Sequence, residues 1–243
     1  MDTKDSALVI TGIIFSMTII KFAILHYKKQ KSLQWWSYRQ SMRLFLEAEI
    51  IRDSLLQDSF SIRRNLEMLP DDEMTISTGK INECLQAIDH FHDSLAKLSD
   101  RLFPAYLPDS LPLAIQSTLE NYQRSHPNLD LYLDIPSYWC SEPAERSLVV
   151  VRSIEELLRI CIPDTTIQTL NQNLNQTSAR IRLKQQNSQA ELIAQITYND
   201  VHTLSFYSNL PEARYLCDAF QFLTYGKCFY IRDNLSLTWH LSW

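Results

Sequence analysis

Apolar residues run almost unbroken from Ala7 to Tyr27, interrupted by Lys21. At a rise of about 1.5 Å per residue, such a run crosses a bilayer core of about 30 Å, and it predicts a transmembrane helix over 7–27. Lys21 lies near one end, where its stem can snorkel to the interface. Lys28, Lys29 and Lys31 follow, while Asp2 and Asp5 flank the other end. That asymmetry places residues 1–6 outside as a short extracytoplasmic tail and the rest of the chain in the cytoplasm, a single pass of the inner (cytoplasmic) membrane. A cleaved signal peptide is the less favoured reading, because no basic region precedes the run and no small-residue cleavage site follows it. Trp35 and Trp36 are expected to rest at the membrane interface.

Beyond the basic cluster the period changes. From Leu33 to Leu69 there is no proline or glycine, and Leu44, Ala48, Ile51, Leu55, Ile62, Leu66 and Leu69 recur at helical spacing. This pattern predicts a long helix with one buried seam. Pro70 and the acidic Asp71, Asp72 and Glu73 end it. A second helix is expected from about Ser77 to Phe103, its seam at Ile81, Leu85, Ile88, Leu95, Leu98 and Leu102. The two make an antiparallel hairpin over 28–108. A lone hairpin has too narrow a core, so pairing with a second copy into a four-helix bundle is the natural way to cover both seams, and a homodimer is expected.

After Phe103, Pro104, Pro108 and Pro112 break up a connector, and a new domain is expected over 109–243. Its predicted elements are a helix from about Leu113 to Ser125 and a strand from Leu129 to Ile135. A helix from Glu142 or Glu145 to about Cys161 follows, then strands at Thr177–Lys184, Ala190–Tyr198, Phe229–Arg232 and Ser236–Ser242. Helices followed by a run of strands point to an α+β sandwich with helices on one face of a mixed sheet. The fold class expected is therefore membrane-anchored, with a dimerising helical hairpin followed by an α+β domain.

Composition narrows the chemistry. Net charge is −5 with both signs mixed along the chain, so there is no electrostatic footprint for nucleic acid. The chain has three glycines, Gly12, Gly79 and Gly226, whereas phosphate-cradling loops use glycine so that backbone N–H groups can approach the anion. Five widely spaced cysteines, Cys84, Cys140, Cys161, Cys217 and Cys228, form no CxxC pair and read as reduced, buried thiols of a cytoplasmic module.

The order of these pieces, with several local strings, resembles the sensor histidine kinases that pair with LuxR-type response regulators. The string from Ile51 to Phe60 (Ile-Arg-Asp-Ser-Leu-Leu-Gln-Asp-Ser-Phe), followed by Ile62 to Glu67, is similar to that family's phosphoacceptor box, LHDxxxQ, without a gap. Leu98 to Pro104, with Leu107 and Leu111 to Gln116, resembles the end of the second dimerisation helix and the start of the ATPase-like domain. Glu145 to Arg159 resembles the helix that carries the family's Mg-nucleotide asparagine. The similarity spans about 40–200, and it implies that the sandwich resembles a degenerate histidine-kinase ATPase domain.

The resemblance also shows what has been lost. The phosphoacceptor must be an imidazole, whose ring nitrogen attacks the γ-phosphate, and that position is Arg52. A guanidinium stays protonated and offers donors only. His92 and Asp93 imitate the box, but the fifth residue from His92 is Lys97, and His90 and His92 diverge around a helix. Ile160 falls where an amide oxygen should hold Mg²⁺, and an alkyl side chain cannot coordinate a hard cation. Asp200 is the implied remnant of the adenine-contacting aspartate, yet Val201, His202 and Thr203 supply no glycine turn. No cofactor is expected. Asp53 and Gln57 keep the DxxxQ pattern on one helical face, where the resemblance implies that an amide can orient water on a regulator's phospho-aspartate. Arg52 can assist there by offsetting charge, or pair with Asp53 and block the site.

Three functions are therefore open. The first is a membrane-tethered pseudo-histidine kinase that binds a response regulator or a partner histidine kinase. The second is a response-regulator phosphatase using Asp53 and Gln57, and the third is a structural envelope scaffold.

Overall fold

The computed structural model describes residues 3–68, 78–162, 177–186 and 189–243, with the side chains of 3–11 and of Thr78 outside that description. Helix α1 runs over Thr3–Ile50 without a break. It continues through a wide π turn, Ile51–Leu55, into α2, Leu56–Glu67. The reason lies in the sequence: between Gly12 and Pro70 no glycine or proline interrupts the backbone hydrogen-bond ladder. The expected membrane segment and first hairpin helix are thus one rod. Among the described residues, no helix is long and apolar enough to cross a membrane. The start of the expected 7–27 span lies outside the described side chains, as does the turn around Pro70 to Glu73.

Helix α3, Thr78–Leu102, returns antiparallel to this rod. Arg101 Nε bonds Glu47 Oε2 at 2.8 Å, and His90 Nδ1 lies 3.8 Å from Asp58 Oδ2, so one helix ascends as the other descends. Leu55, Cys84 and Leu98 are buried in the seam, while Leu56, Phe60, Leu66, Ile81, Leu85, Ile88 and Leu95 remain exposed in the single chain. Hairpin pairing therefore uses only part of each apolar stripe.

Helix α4, Leu111–Ser125, starts at Ser110, whose hydroxyl accepts from the Leu113 N–H, with Pro112 in its first turn. Then come β1, Leu129–Asp134, α5, Ala144–Cys161, β2, Thr177–Gln186, and β3, Gln189–Thr197. Helices α6, Val201–Ser208, and α7, Pro211–Thr224, precede the final strands β4, Lys227–Asp233, and β5, Ser236–Ser242. The sheet order is β1-β2-β3-β5-β4, with β1 parallel to β2 and all other pairs antiparallel. Alternation sorts the side chains. Ala179, Ile181, Leu183, Leu192, Ala194, Ile196, Leu237, Trp239 and Leu241 are buried, and the residues between them line a polar outer face. Tyr198 closes the core, its hydroxyl donating to the Cys161 carbonyl at 2.8 Å while its ring stacks on Tyr207.

Gly226 sits where α7 turns into β4. A Cβ built there would lie 2.0 Å from the Ser242 carbonyl oxygen, a backbone atom of the paired strand that cannot swing away. Gly226→Ala is therefore expected to lower stability by about 2–3 kcal/mol through forced separation of β4 from β5. Chemical denaturation of the two proteins side by side measures it.

Candidate functional site

Residues Ile51 to Leu55 form the π turn, so the string that resembles a phosphoacceptor box lies on a widened helical ring, with the Leu56 N–H donating to the Ile51 carbonyl five residues back. Leu55 is buried. Arg52, Asp53 and Gln57 all point to solvent. Arg52 Nε donates to Asp53 Oδ1 at 2.9 Å, and its Nη2 lies 3.7 Å from Glu49 Oε1. The Asp53 carboxylate beside it pushes the guanidinium further up from its ordinary value. Of the two possibilities for Arg52 weighed from the sequence, the structure has it paired with Asp53. Gln57 makes no hydrogen bond among the described residues and stands free to reach a ligand.

His90, part of the imitation box on α3, faces Asp58 across the hairpin, and His92 is exposed. Among the described residues, no three His, Cys, Asp or Glu side chains gather at one point.

The positions aligned with a nucleotide site face other tasks. Ile160 is only 6% exposed and belongs to the hydrophobic core beneath the sheet. Asp200 caps α6, with Oδ1 accepting from the Thr203 N–H at 2.8 Å and Oδ2 from the Thr203 hydroxyl at 2.6 Å. Those bonds to Thr203 hold its carboxyl below the usual range. As a depressed acid, Asp200 lends its stabilisation above the unfolded carboxylate range and loses it as pH falls through its own. The stretch after Asp200, expected to be a worn glycine turn, forms α6 and α7.

Sequence reasoning missed a cluster at the junction of hairpin and sandwich. Arg152 on α5 is 6% exposed. Its Nη1 donates to Glu155 Oε1 and Oε2 at 3.1 and 2.8 Å, and its Nη2 to the carbonyls of Arg101 and Leu102 at 3.0 and 2.7 Å. Arg43 on α1 pairs with Glu155 and also reaches the Arg101 carbonyl. Arg39 Nε lies 3.3 Å from Glu156 Oε2, which also pairs with Arg159. Burial pushes Glu156 up, against the pull of Arg39, and pushes Arg152 down, against the pull of Glu155. Two arginines on α1, one on α5 and the exposed carbonyls ending α3 thus lock three helices together.

Trp35 and Trp36 belong to the same junction. Both are partly buried against the sandwich core, and Trp35 lies 6.1 Å from the Tyr215 ring on α7. The thiols also differ from expectation in one case: Cys84, Cys161, Cys217 and Cys228 are buried, but Cys140 is exposed. Burial pushes the Cys161 thiol up to about 12, which leaves it unreactive.

No protein-family model matches the chain, and no curated protein matches it. Among solved structures, it is similar to Acinetobacter baumannii histidine kinase AdeS, at 10% identity and a TM-score of 0.38, over 77% of this chain and 95% of that one. It is similar to a histidine kinase from Burkholderia phymatum at 11% identity and a TM-score of 0.38, over 84% and 96%. The mycobacterial sensor histidine kinase MprB matches at 13% identity and a TM-score of 0.35, over 53% and 89%. Overlaps this loose establish neither a shared fold nor a shared activity.

Proposed function

We propose that this protein is a membrane-tethered pseudo-histidine kinase, a non-catalytic regulator of two-component signalling that docks a response regulator or pairs with an active histidine kinase. The observation that carries the reading is Arg52. It occupies the phosphoacceptor position of the LHDxxxQ-like string, exposed on the helical rod and ion-paired to Asp53. A guanidinium has no lone pair with which to capture a phosphoryl group, whatever the nucleotide supply. Ile160 supports the same reading because it is packed in the core, and so does Asp200, whose two carboxylate oxygens are bonded to Thr203. The exposed apolar stripe of α2 and α3 supports dimerisation through the hairpin, with itself or with a related kinase. The apolar run 7–27 at the head of α1 is the proposed anchor, with the sandwich in the cytoplasm, and a LuxR-type regulator is the proposed docking partner.

One feature favours a second reading. Gln57 is exposed four residues from Asp53, free of intramolecular bonds among the described residues, as a water-orienting amide needs to be. A phosphatase would then require Asp53 to release Arg52. The two readings separate in one experiment, in which chemically phosphorylated receiver domains are mixed with the full chain and with its Gln57→Ala variant. Retention of the receiver with no faster phosphate loss is the expected result. Phosphate release that disappears in Gln57→Ala makes the protein a phosphatase, and absence of both binding and release overturns the two-component reading.

A further inference from the structure

We propose that the cleft between the anchor end of α1 and helix α7 binds the phosphate headgroup of an anionic membrane lipid. The inference rests on the reading of 7–27 as a membrane anchor and deepens it. The cleft encloses about 900 Å³, within the range of small-molecule sites. One wall is α1, where Ala23, Ile24 and Tyr27 end the apolar run and Lys28 and Lys31 begin the basic one. The other wall is the sandwich, which contributes Arg214 and Tyr215 from α7 and Phe229 from β4.

Three cations thus face one opening. Lys31 Nζ stands 5.5 Å from the Tyr215 ring centroid. Lys28 and Arg214 have no carboxylate within ion-pair distance among the described residues. Asp218 is the one acid lining the cleft, and its carboxylate is engaged from the α1 side, accepting from the Ser32 hydroxyl at 3.1 Å. A phosphate would offset the positive excess that the fold gathers there, and the cations are of the two types that serve phosphate best.

Depth decides between sources of phosphate. The cleft straddles the change from Ile24 to Lys28, which is the level of the lipid headgroups if the preceding turns lie in hydrocarbon. Its apolar upper wall would face the start of an acyl chain, and Phe229, 49% exposed on the edge strand, adds apolar surface at the same mouth. A soluble phosphate has no use for that wall.

The test uses the full chain in phosphatidylcholine vesicles and in vesicles where phosphatidylglycerol replaces part of the phosphatidylcholine. Resistance to alkaline extraction from phosphatidylcholine alone reports the anchor; release there overturns the anchor and with it the lipid source. For the inserted chain, native mass spectrometry after gentle extraction is expected to find retained phosphatidylglycerol in preference to phosphatidylcholine. Removing a cation near the surface weakens such binding by about 5-fold, so Lys28→Gln with Arg214→Gln should lose roughly 30-fold. Lys184→Gln, on the far strand β2, should lose nothing. Arg214→Gln alone, expected at about 5-fold, serves if the double variant inserts poorly. Equal retention of the two lipids by the inserted chain, or an equal loss in Lys184→Gln, overturns the proposal. Displacement of the lipid by inorganic phosphate overturns the lipid source and reassigns the cleft to a free anion.

Discussion

Replacing Ile88 and Leu95 with aspartate is expected to abolish the proposed dimer and leave a monomer. Ile81, Ile88, Leu95 and Leu102 fall seven residues apart along α3, and each is left 40 to 42% exposed after α1 and α2 have covered what they can. A repeat of seven keeps one stripe facing one neighbour, and the neighbour it fits is the same stripe of a second hairpin. Leu56 and Phe60 on α2 widen the surface on offer. A two-fold pairing repeats each substitution, so two changes place four carboxylates where four alkyl groups were to be desolvated. At about 1.5–3 kcal/mol for each buried side chain, even partial burial loses 4 kcal/mol or more, roughly a thousandfold in the dimer dissociation constant. The partial exposure of both positions within the hairpin lets the monomer fold. Light scattering with size-exclusion chromatography measures the mass, and an unchanged dimer would place the partner surface elsewhere on the molecule.

Arg152→Met is expected to be the most destabilising single change at the junction, by about 3 kcal/mol. The methionine keeps the volume of the aliphatic stem but removes both bonds of Nη2, leaving the Leu102 carbonyl without its side-chain donor and the Arg101 carbonyl with Arg43 alone. It also leaves Glu155 with Arg43 as its remaining partner. Arg152→Lys should recover only a fraction, because a single ammonium cannot bridge a carboxylate and two carbonyls in a plane. Because these bonds tie the end of α3 to α5, the loss should appear as loosened coupling of hairpin and sandwich as well. Hydrogen exchange is expected to rise at the Leu98–Phe103 amides before it rises in the sheet. Exchange that rises everywhere at once would assign Arg152 to the sandwich core alone.

Much of the architecture was legible because its elements have a clear period. Strands β2, β3 and β5 alternate in sequence as they alternate in burial, and α3 lies within a residue of its expected ends. Helices α6 and α7 were missed although local signals exist: Asp200 caps the first, and Pro211 opens the second, with Ala213, Leu216, Cys217 and Phe220 on its buried face. An aspartate before Val201, His202 and Thr203 reads in sequence as a turn remnant as readily as a helix cap. The junction of arginines and glutamates had no sequence signal at all. Arg39 and Glu156 stand 117 positions apart, and in sequence each looks like a solvated charge. The packing of Trp35 and Trp36 on the sandwich had no signal of its own either, since an aromatic pair after a basic cluster suits a bilayer and a domain surface equally well. At the box, sequence gave the identity and the helical face of Arg52, Asp53 and Gln57. The widened turn beneath them and the choice of Arg52 to pair with Asp53 needed coordinates.

Whether the chain is a non-catalytic regulator is decided by incubating the full membrane-inserted protein with Mg²⁺ and ATP labelled at the γ-phosphate, with and without Arg52→His. No label is expected on either protein, because a histidine at position 52 would still face a chain whose Ile160 is packed in the core and whose Asp200 caps a helix. Label on the unaltered chain at any residue would contradict a non-catalytic regulator outright, and label on Arg52→His alone would show that the sandwich still delivers a phosphoryl group.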